Sequence, residues 1–229
     1  MKRLSFPVLL LVIVSAIAPR FTKAQTSPPG KNSLVFEVPM VSSNITIMTD
    51  GQIGRKEWEG AKKIVFPQND SCYLLVKQSD EYIFLAIAAP YNMLSYVDLY
   101  FDFGENSILN LHSSSQIGER NLTDTSWNDL NPPGHWGNSK DWYANEMRFD
   151  RILAQQLLKE DSNYNRDQLQ LRTTYRYDGF EYLFRKSRFN KANWKTRVLI
   201  RTTMPGYSNM AFPQYTDPKR SDNWATLIF

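Results

Sequence analysis

The chain has 229 residues with 27 basic and 23 acidic side chains, two histidines and one cysteine. Lys2, Arg3, Arg20 and Lys23 lie within residues 1–24, which carry no acid, so residues 25–229 hold 23 basic and 23 acidic groups. That balance leaves no net charge to favour nucleic acid or an anionic membrane, and one cysteine excludes an intrachain disulfide.

Residues 1–24 read as a secretory signal peptide. Lys2-Arg3 form a basic start, residues 6–18 are apolar apart from Pro7 and Ser15, and the small residues Thr22 and Ala24 precede a cut ahead of Gln25. The apolar run is short of the about 20 residues a bilayer span needs, and no later run is apolar enough. An uncleaved N-terminal anchor is the alternative. Cys72 lies far from the cut, which excludes a lipid-modified N-terminal cysteine. The expected destination is secreted, periplasmic or extracellular, with no membrane association after cleavage.

Residues 25–33, with Ser27-Pro28-Pro29-Gly30, lack apolar periodicity and are expected to be a flexible leader. Residues 34–229 suit one domain. Short β-rich runs follow at 34–38, 63–66, 72–77, 82–88, 96–103 and 108–112. Within 96–103, Val97, Leu99, Phe101 and Phe103 alternate with Asp98, Tyr100 and Asp102, as a strand with one buried face requires. Residues 151–159 are the one helical stretch, with Leu153, Leu157 and Leu158 as its apolar face. Further strands are expected at 168–177, 180–185, 197–203 and 224–229. In 168–177, Leu169, Leu171, Thr173, Tyr175 and Tyr177 share one face, and Asp178-Gly179 signals a hairpin turn. About ten strands with one or two short helices predict an all-β, antiparallel β-sandwich.

Asp50-Gly51-Gln52-Ile53 followed by Glu57-Trp58-Glu59-Gly60-Ala61 joins a tight turn to a helical turn with Trp58 and Ala61 on one face. The strand Asp80-Glu81-Tyr82-Ile83-Phe84-Leu85-Ala86-Ile87 comes next. Gly179-Phe180-Glu181 opens a late strand, and Asn223-Trp224-Ala225-Thr226-Leu227 closes the domain. Together these segments resemble the family 9-like carbohydrate-binding modules, over residues 34–229. The resemblance implies a DOMON-like sandwich that holds a glycan or oligosaccharide by aromatic stacking. It also implies carbohydrate-active enzymes as partners, a structural calcium ion as the one metal to consider, and no other cofactor. Trp58 and Trp224 lie in the segments that carry the likeness and are read as core.

The densest loop is 128–140, flanked by Trp127 and by Trp142-Tyr143, so three of six tryptophans fall within sixteen residues. A sugar offers a face of C–H groups and a rim of hydroxyls, which flat rings beside polar side chains match. Members of the resembled family sandwich a terminal sugar unit between two tryptophans. The candidate sugar-binding residues here are Trp136, Trp142 and Trp127, with Asn138 and Asp141 as polar partners. The alternative is that the rings pin the loop to the sandwich. Trp194 is read as packing in a turn before a strand.

Catalysis finds no recognisable constellation. Asp98 and Asp102, four apart on one strand face, lie roughly 13 Å apart by the strand rise, too far for a glycosidase pair. They are read as solvated surface, with Glu119 and Asp141 as neighbours to consider. His112 and His135 lack metal-ligand spacing. His112 beside Ser113, Ser114 and Ser115 only superficially suggests a hydrolase, because no Gly-x-Ser-x-Gly elbow is present. A non-catalytic, secreted carbohydrate-binding domain is therefore the leading expectation. The alternatives are a glycoside-hydrolase-associated enzyme, a haem-binding relative using His112 with Met48, Met93 or Met147, and an adhesive envelope protein.

Overall fold

The computed structural model describes residues 34–42, 47–54, 56–90, 96–129, 141–148, 150–164, 169, 172–202 and 207–229. The expected signal peptide, leader and most of the 128–140 loop lie outside them. Strands β1 (Val35–Glu37), β5 (Tyr96–Asp102), β6 (Ser107–Ser113), β7 (Ile117–Thr123), β8 (Ser126–Asp129), β11 (Asn193–Arg201), β12 (Met210–Phe212) and β13 (Ala225–Ile228) form the larger sheet. Its order is β1-β13-β11-β5-β6-β7-β8, with β12 paired to β11. Strands β2 (Lys62–Phe66), β3 (Asn69–Gln78), β4 (Tyr82–Ala88), β9 (Trp142–Ala144) and β10 (Gly179–Arg185) form the smaller sheet, in order β2-β3-β4-β10-β9. All pairings between these strands are antiparallel except β1 with β13. The all-β sandwich expected from the strand pattern is what forms.

Alternation decides which side chains meet between the sheets. Val97, Leu99 and Phe101 of β5, Leu109 and Leu111 of β6, and Val198 and Ile200 of β11 face inward. They meet Leu74, Val76, Leu85, Ile87, Tyr182 and Phe184 of the smaller sheet. At one end Trp194 is fully buried, with Phe101 at 4.9 Å, Phe184 at 5.5 Å and Phe229 at 4.6 Å between ring centroids. Such edge-to-face and tilted contacts each add about 0.5–1.5 kcal/mol beyond area burial. Trp194 thus belongs to β11 and the central core, not to a turn before a strand, because β11 begins four residues earlier than its apolar run suggests.

Each sheet also carries an apolar cluster on its outer side. On the smaller sheet Ile47 and Trp58 cover Leu75, Phe84 and Ala86. On the larger, Tyr100, Ile108, Leu122 and Trp224 pack together, joined by Trp127 and Leu199. Trp58 and Trp224 are both buried, as read from the sequence. Gly51, at φ 83°, allows the first of these covers: a Cβ there would stand 2.2 Å from the Tyr177 ring. Gly179 is required for a different reason, since its Cβ would meet the carbonyl oxygen of Ile87 at 2.2 Å where β10 enters beside β4.

Helix α1 (Arg151–Glu160) extends the expected stretch by one residue. Asp150 caps it by accepting from the Leu153 N–H at 2.9 Å, and none of its residues is buried. Helix α2 (Lys186–Phe189) follows β10 directly. The strand expected at 168–177 does not form among its described residues. Arg172 and Thr173 are helical, and the Thr173 hydroxyl donates to the Leu169 carbonyl four residues back. Asp178-Gly179 therefore turns no hairpin between strands; the Asp178 N–H binds the Gly51 carbonyl instead.

Candidate functional site

Trp136 and Asn138 lie outside the described residues. The other three expected sugar contacts lie on β8, on β9 and immediately before β9. Trp127, on β8 at the edge of the larger sheet, is half-buried, with the Arg120 guanidinium 4.5 Å from its ring centre and Tyr100 at 5.9 Å. Trp142, on β9 at the edge of the smaller sheet, is 0 % exposed and stacks on Tyr182. Its Nε1–H donates to Glu119 Oε2 at 2.9 Å. With no face open to solvent, Trp142 is a core ring and not a stacking platform. Asp141, half-buried at φ 60°, accepts the Arg185 N–H through its carbonyl.

Asp98, expected to be solvated, and Glu119, considered as its neighbour, are both buried and engaged. Glu119 is buried and receives both Arg188 guanidinium nitrogens, at 2.9 and 3.1 Å, besides Trp142. Asp98 is 4 % exposed, bound to His112 Nδ1 at 2.9 Å and flanked by Arg201 Nε at 3.6 Å. Burial with a charged partner explains both, since an isolated ionised carboxylate would not stay inside. His112 Nε2 in turn lies 3.1 Å from Ser114 Oγ. Ser114, His112 and Asp98 thus stand in the order of a nucleophilic triad. The hydroxyl, however, is also held by the Gln116 N–H and carbonyl, and the Ser114 N–H is spent on Gln116. Those contacts make a closed turn around the oxygen that a nucleophile would need free.

A third buried acid lies under the 47–61 cover. Glu181 accepts from Trp58 Nε1 at 2.8 Å and from the Gly51 and Asp50 N–H groups at 2.9 and 3.1 Å. Burial pushes its carboxyl up to about 7, against the pull of the Trp58 and Gly51 donors. A cleft of 290 Å³ lies alongside, lined by Asp50, Asn145, Glu146, Arg148 and Tyr177 among others. Among the described residues no group of three or more His, Cys, Asp or Glu is placed to hold a metal ion. No helix among them is long and apolar enough to cross a membrane.

Among the described residues, the most open aromatic surface belongs to a residue that the sequence reading passed over. After β12 the chain crosses the outer side of the larger sheet through residues 213–223. Arg197 Nε donates to the Thr216 carbonyl and hydroxyl at 3.2 and 3.0 Å, and Trp224 Nε1 donates to the Asp217 carbonyl at 3.0 Å. Immediately before these ties Tyr215 stands at φ 59° with 82 % of its surface exposed. A bulky residue in the left-handed region costs on the order of 1–3 kcal/mol and persists only where its surroundings impose it. Here the imposed conformation holds a ring in water. Beneath, Arg197 is buried over the Tyr100 ring, and its Nη1 has no acceptor among the described residues.

Tyr215 lines a 240 Å³ cleft with Thr216, Asp217, Arg220, Asp222 and Asn223. Arg220 and Asp222 also border a 440 Å³ cleft, whose walls include Asp102, Asn106, Asp124, Lys219 and Ser221. The Asp102 carboxylate accepts from Ser221 and from the Gly104 N–H, and Lys195 lies 3.7 Å away. A flat ring beside carboxylate, amide and guanidinium groups matches the two surfaces of a sugar. The sequence signal was slight: one aromatic between Pro213 and Pro218, without periodicity.

No family model matches the chain, and no curated protein matches it. Among solved structures, a Bacteroides uniformis protein provisionally assigned to carbohydrate binding is similar over 86 % of this chain and 99 % of its own, at 8 % identity and TM-score 0.46. A carbohydrate binding module of family 9 from Caldicellulosiruptor kristjanssonii, in complex with cellotriose, covers 84 % of this chain and 93 % of its own, at 9 % identity and TM-score 0.40. Both scores are low, and the sandwich described above stands on its own strand pairing.

Proposed function

We propose that this chain is an exported, non-catalytic carbohydrate-binding domain that holds a glycan by stacking it on an aromatic ring. The observation that carries the reading is Tyr215, held exposed at a costly backbone angle above a cleft of polar side chains. Covering ~60 Å² of apolar sugar surface with one ring yields about 1.5 kcal/mol, close to a tenfold change in affinity. Export rests on residues 1–24 and is checked by an intact mass that begins at Gln25. Carbohydrate-active enzymes are the partners such a domain would serve.

Titration calorimetry of the purified protein with a panel of oligosaccharides tests the reading. Binding should weaken about tenfold in Tyr215→Ala. Trp136→Ala and Trp127→Ala in the same titration ask whether the 128–140 loop contributes a second ring. No heat with any glycan would end the carbohydrate reading.

A further inference from the structure

We infer that the Tyr215 groove takes an internal stretch of a neutral oligosaccharide along its length, and does not grip a chain end; this rests on the carbohydrate reading above. The two clefts adjoin, because Arg220 and Asp222 line both. Among the described residues Tyr215 is the one ring lining the smaller cleft, and none lines the larger. A unit stacked on Tyr215 leaves the larger cleft to the next units of the same chain. Their hydroxyls would meet the side chains of Asn106, Ser107, Asp124 and Lys219, with Ile108 and Leu122 among the apolar contacts. Enclosing a chain end calls for a second face opposite the ring, and the described residues that line the smaller cleft supply none.

Charge selects the class of chain. Asp102, Asp124, Asp217 and Asp222 outnumber Lys219 and Arg220 in the two linings, and Arg220 already lies 3.4 Å from Asp222. A uronate or sulfated chain would bring like charge against these carboxylates, whereas a neutral chain meets no such repulsion.

The test is calorimetry on the exported protein with linear glucan, xylan and mannan oligosaccharides of increasing length. Each is used intact and with its reducing end converted to the alditol, beside oligogalacturonides of matching length. Affinity should rise up to about three units or more and then level off, as a groove of this size requires. Longer chains and their alditols should bind within about twofold of each other, and oligogalacturonides should bind at least about tenfold more weakly. Tyr215→Ala should weaken every length, while Lys219→Ala combined with Asp124→Gly should weaken only the longer chains. A disaccharide as tight as the longest chain, a large loss on alditol formation, or a preference for oligogalacturonides would each overturn the inference. Glycan binding intact in both variants would also overturn it while leaving the carbohydrate reading standing. Silence from every glycan in the wild-type protein would overturn both.

Discussion

Replacing Glu181 with Gln should flatten the part of the pH–stability profile between pH 4.5 and about 7. Burial holds this carboxyl's proton in the folded protein over a window in which the unfolded chain, with its value near 4.5, has released it. The stability contributed by this group is therefore fullest below pH 4.5, falls as pH climbs through the window, and levels off above about 7. At 1.36 kcal/mol per pH unit the upper bound is roughly 3 kcal/mol. The pull of the Trp58 and Gly51 donors is already part of that figure, while the Asp50 N–H, which also favours the charged form, brings the expected effect nearer ~2 kcal/mol. Gln cannot ionise. Its amide N–H must also face donors that a carboxyl oxygen can accept, so the variant starts about 1–3 kcal/mol weaker in acid. Urea unfolding followed by tryptophan fluorescence, at several pH values across the window, measures both proteins, and the other titrating groups cancel in the difference. The gap between wild type and variant should shrink by about 2 kcal/mol from the acid to the alkaline end. Parallel profiles would refute the reasoning, because the carboxyl would then titrate alike in the folded and unfolded chain.

Tyr215→Ala and Trp142→Phe should separate binding from stability. The first should cut glycan affinity about tenfold with little change in Tm, and the second should lose about 1–3 kcal/mol with the Glu119 hydrogen bond while leaving affinity alone. A Trp142→Phe variant that melts like the parent but binds weakly would return Trp142 to the site. Arg188→Ala strands the Glu119 carboxylate inside the protein and should cost about 3 kcal/mol in chemical denaturation, part of it recovered by adding Glu119→Gln; an unchanged midpoint would show that water reaches Glu119. Burial pushes the Cys72 thiol up to about 11, so it should stay unreactive to a disulfide reagent near neutral pH until denaturant is added. Prompt labelling of the folded protein would contradict that.

How much of this was legible depended on whether a strand had two distinct faces. In β5 every second residue is apolar and points inward, so pattern and structure agree. β7 hides its strand character because the inward Glu119 is satisfied by Arg188 and Trp142, 69 and 23 residues away. β9 has three residues beside a Pro- and Gly-rich loop, too few to show a period. The opposite error at 168–177 came from alternation that the backbone does not use, since Thr173 bonds back to Leu169 as a helix permits. The site was harder still. A tryptophan beside a polar loop looks exposed, and only the distant acid that receives its N–H places Trp142 inside. Tyr215 owes its exposure to ties from Arg197 and Trp224 that no local pattern encodes.

The pairing of β1 with β13 sets an order of events for a chain that is threaded across a membrane from its N-terminus. β13 lies between β1 and β11, with the Thr226 N–H donating to the Leu34 carbonyl and the Val38 N–H to the Ile228 carbonyl. Until residues 225–228 emerge, β1 has no neighbouring strand, and on the side of β11 opposite β5 residues 193–196 stay open beyond the stretch that β12 covers. Delivery from the N-terminus, by synthesis or by the proposed export, therefore leaves a sandwich with a vacant slot, and closing it is the longest-range step available to this fold. In the interval the waiting edges can recruit a strand from a neighbouring chain, so crowded export should favour swapped dimers joined through β13.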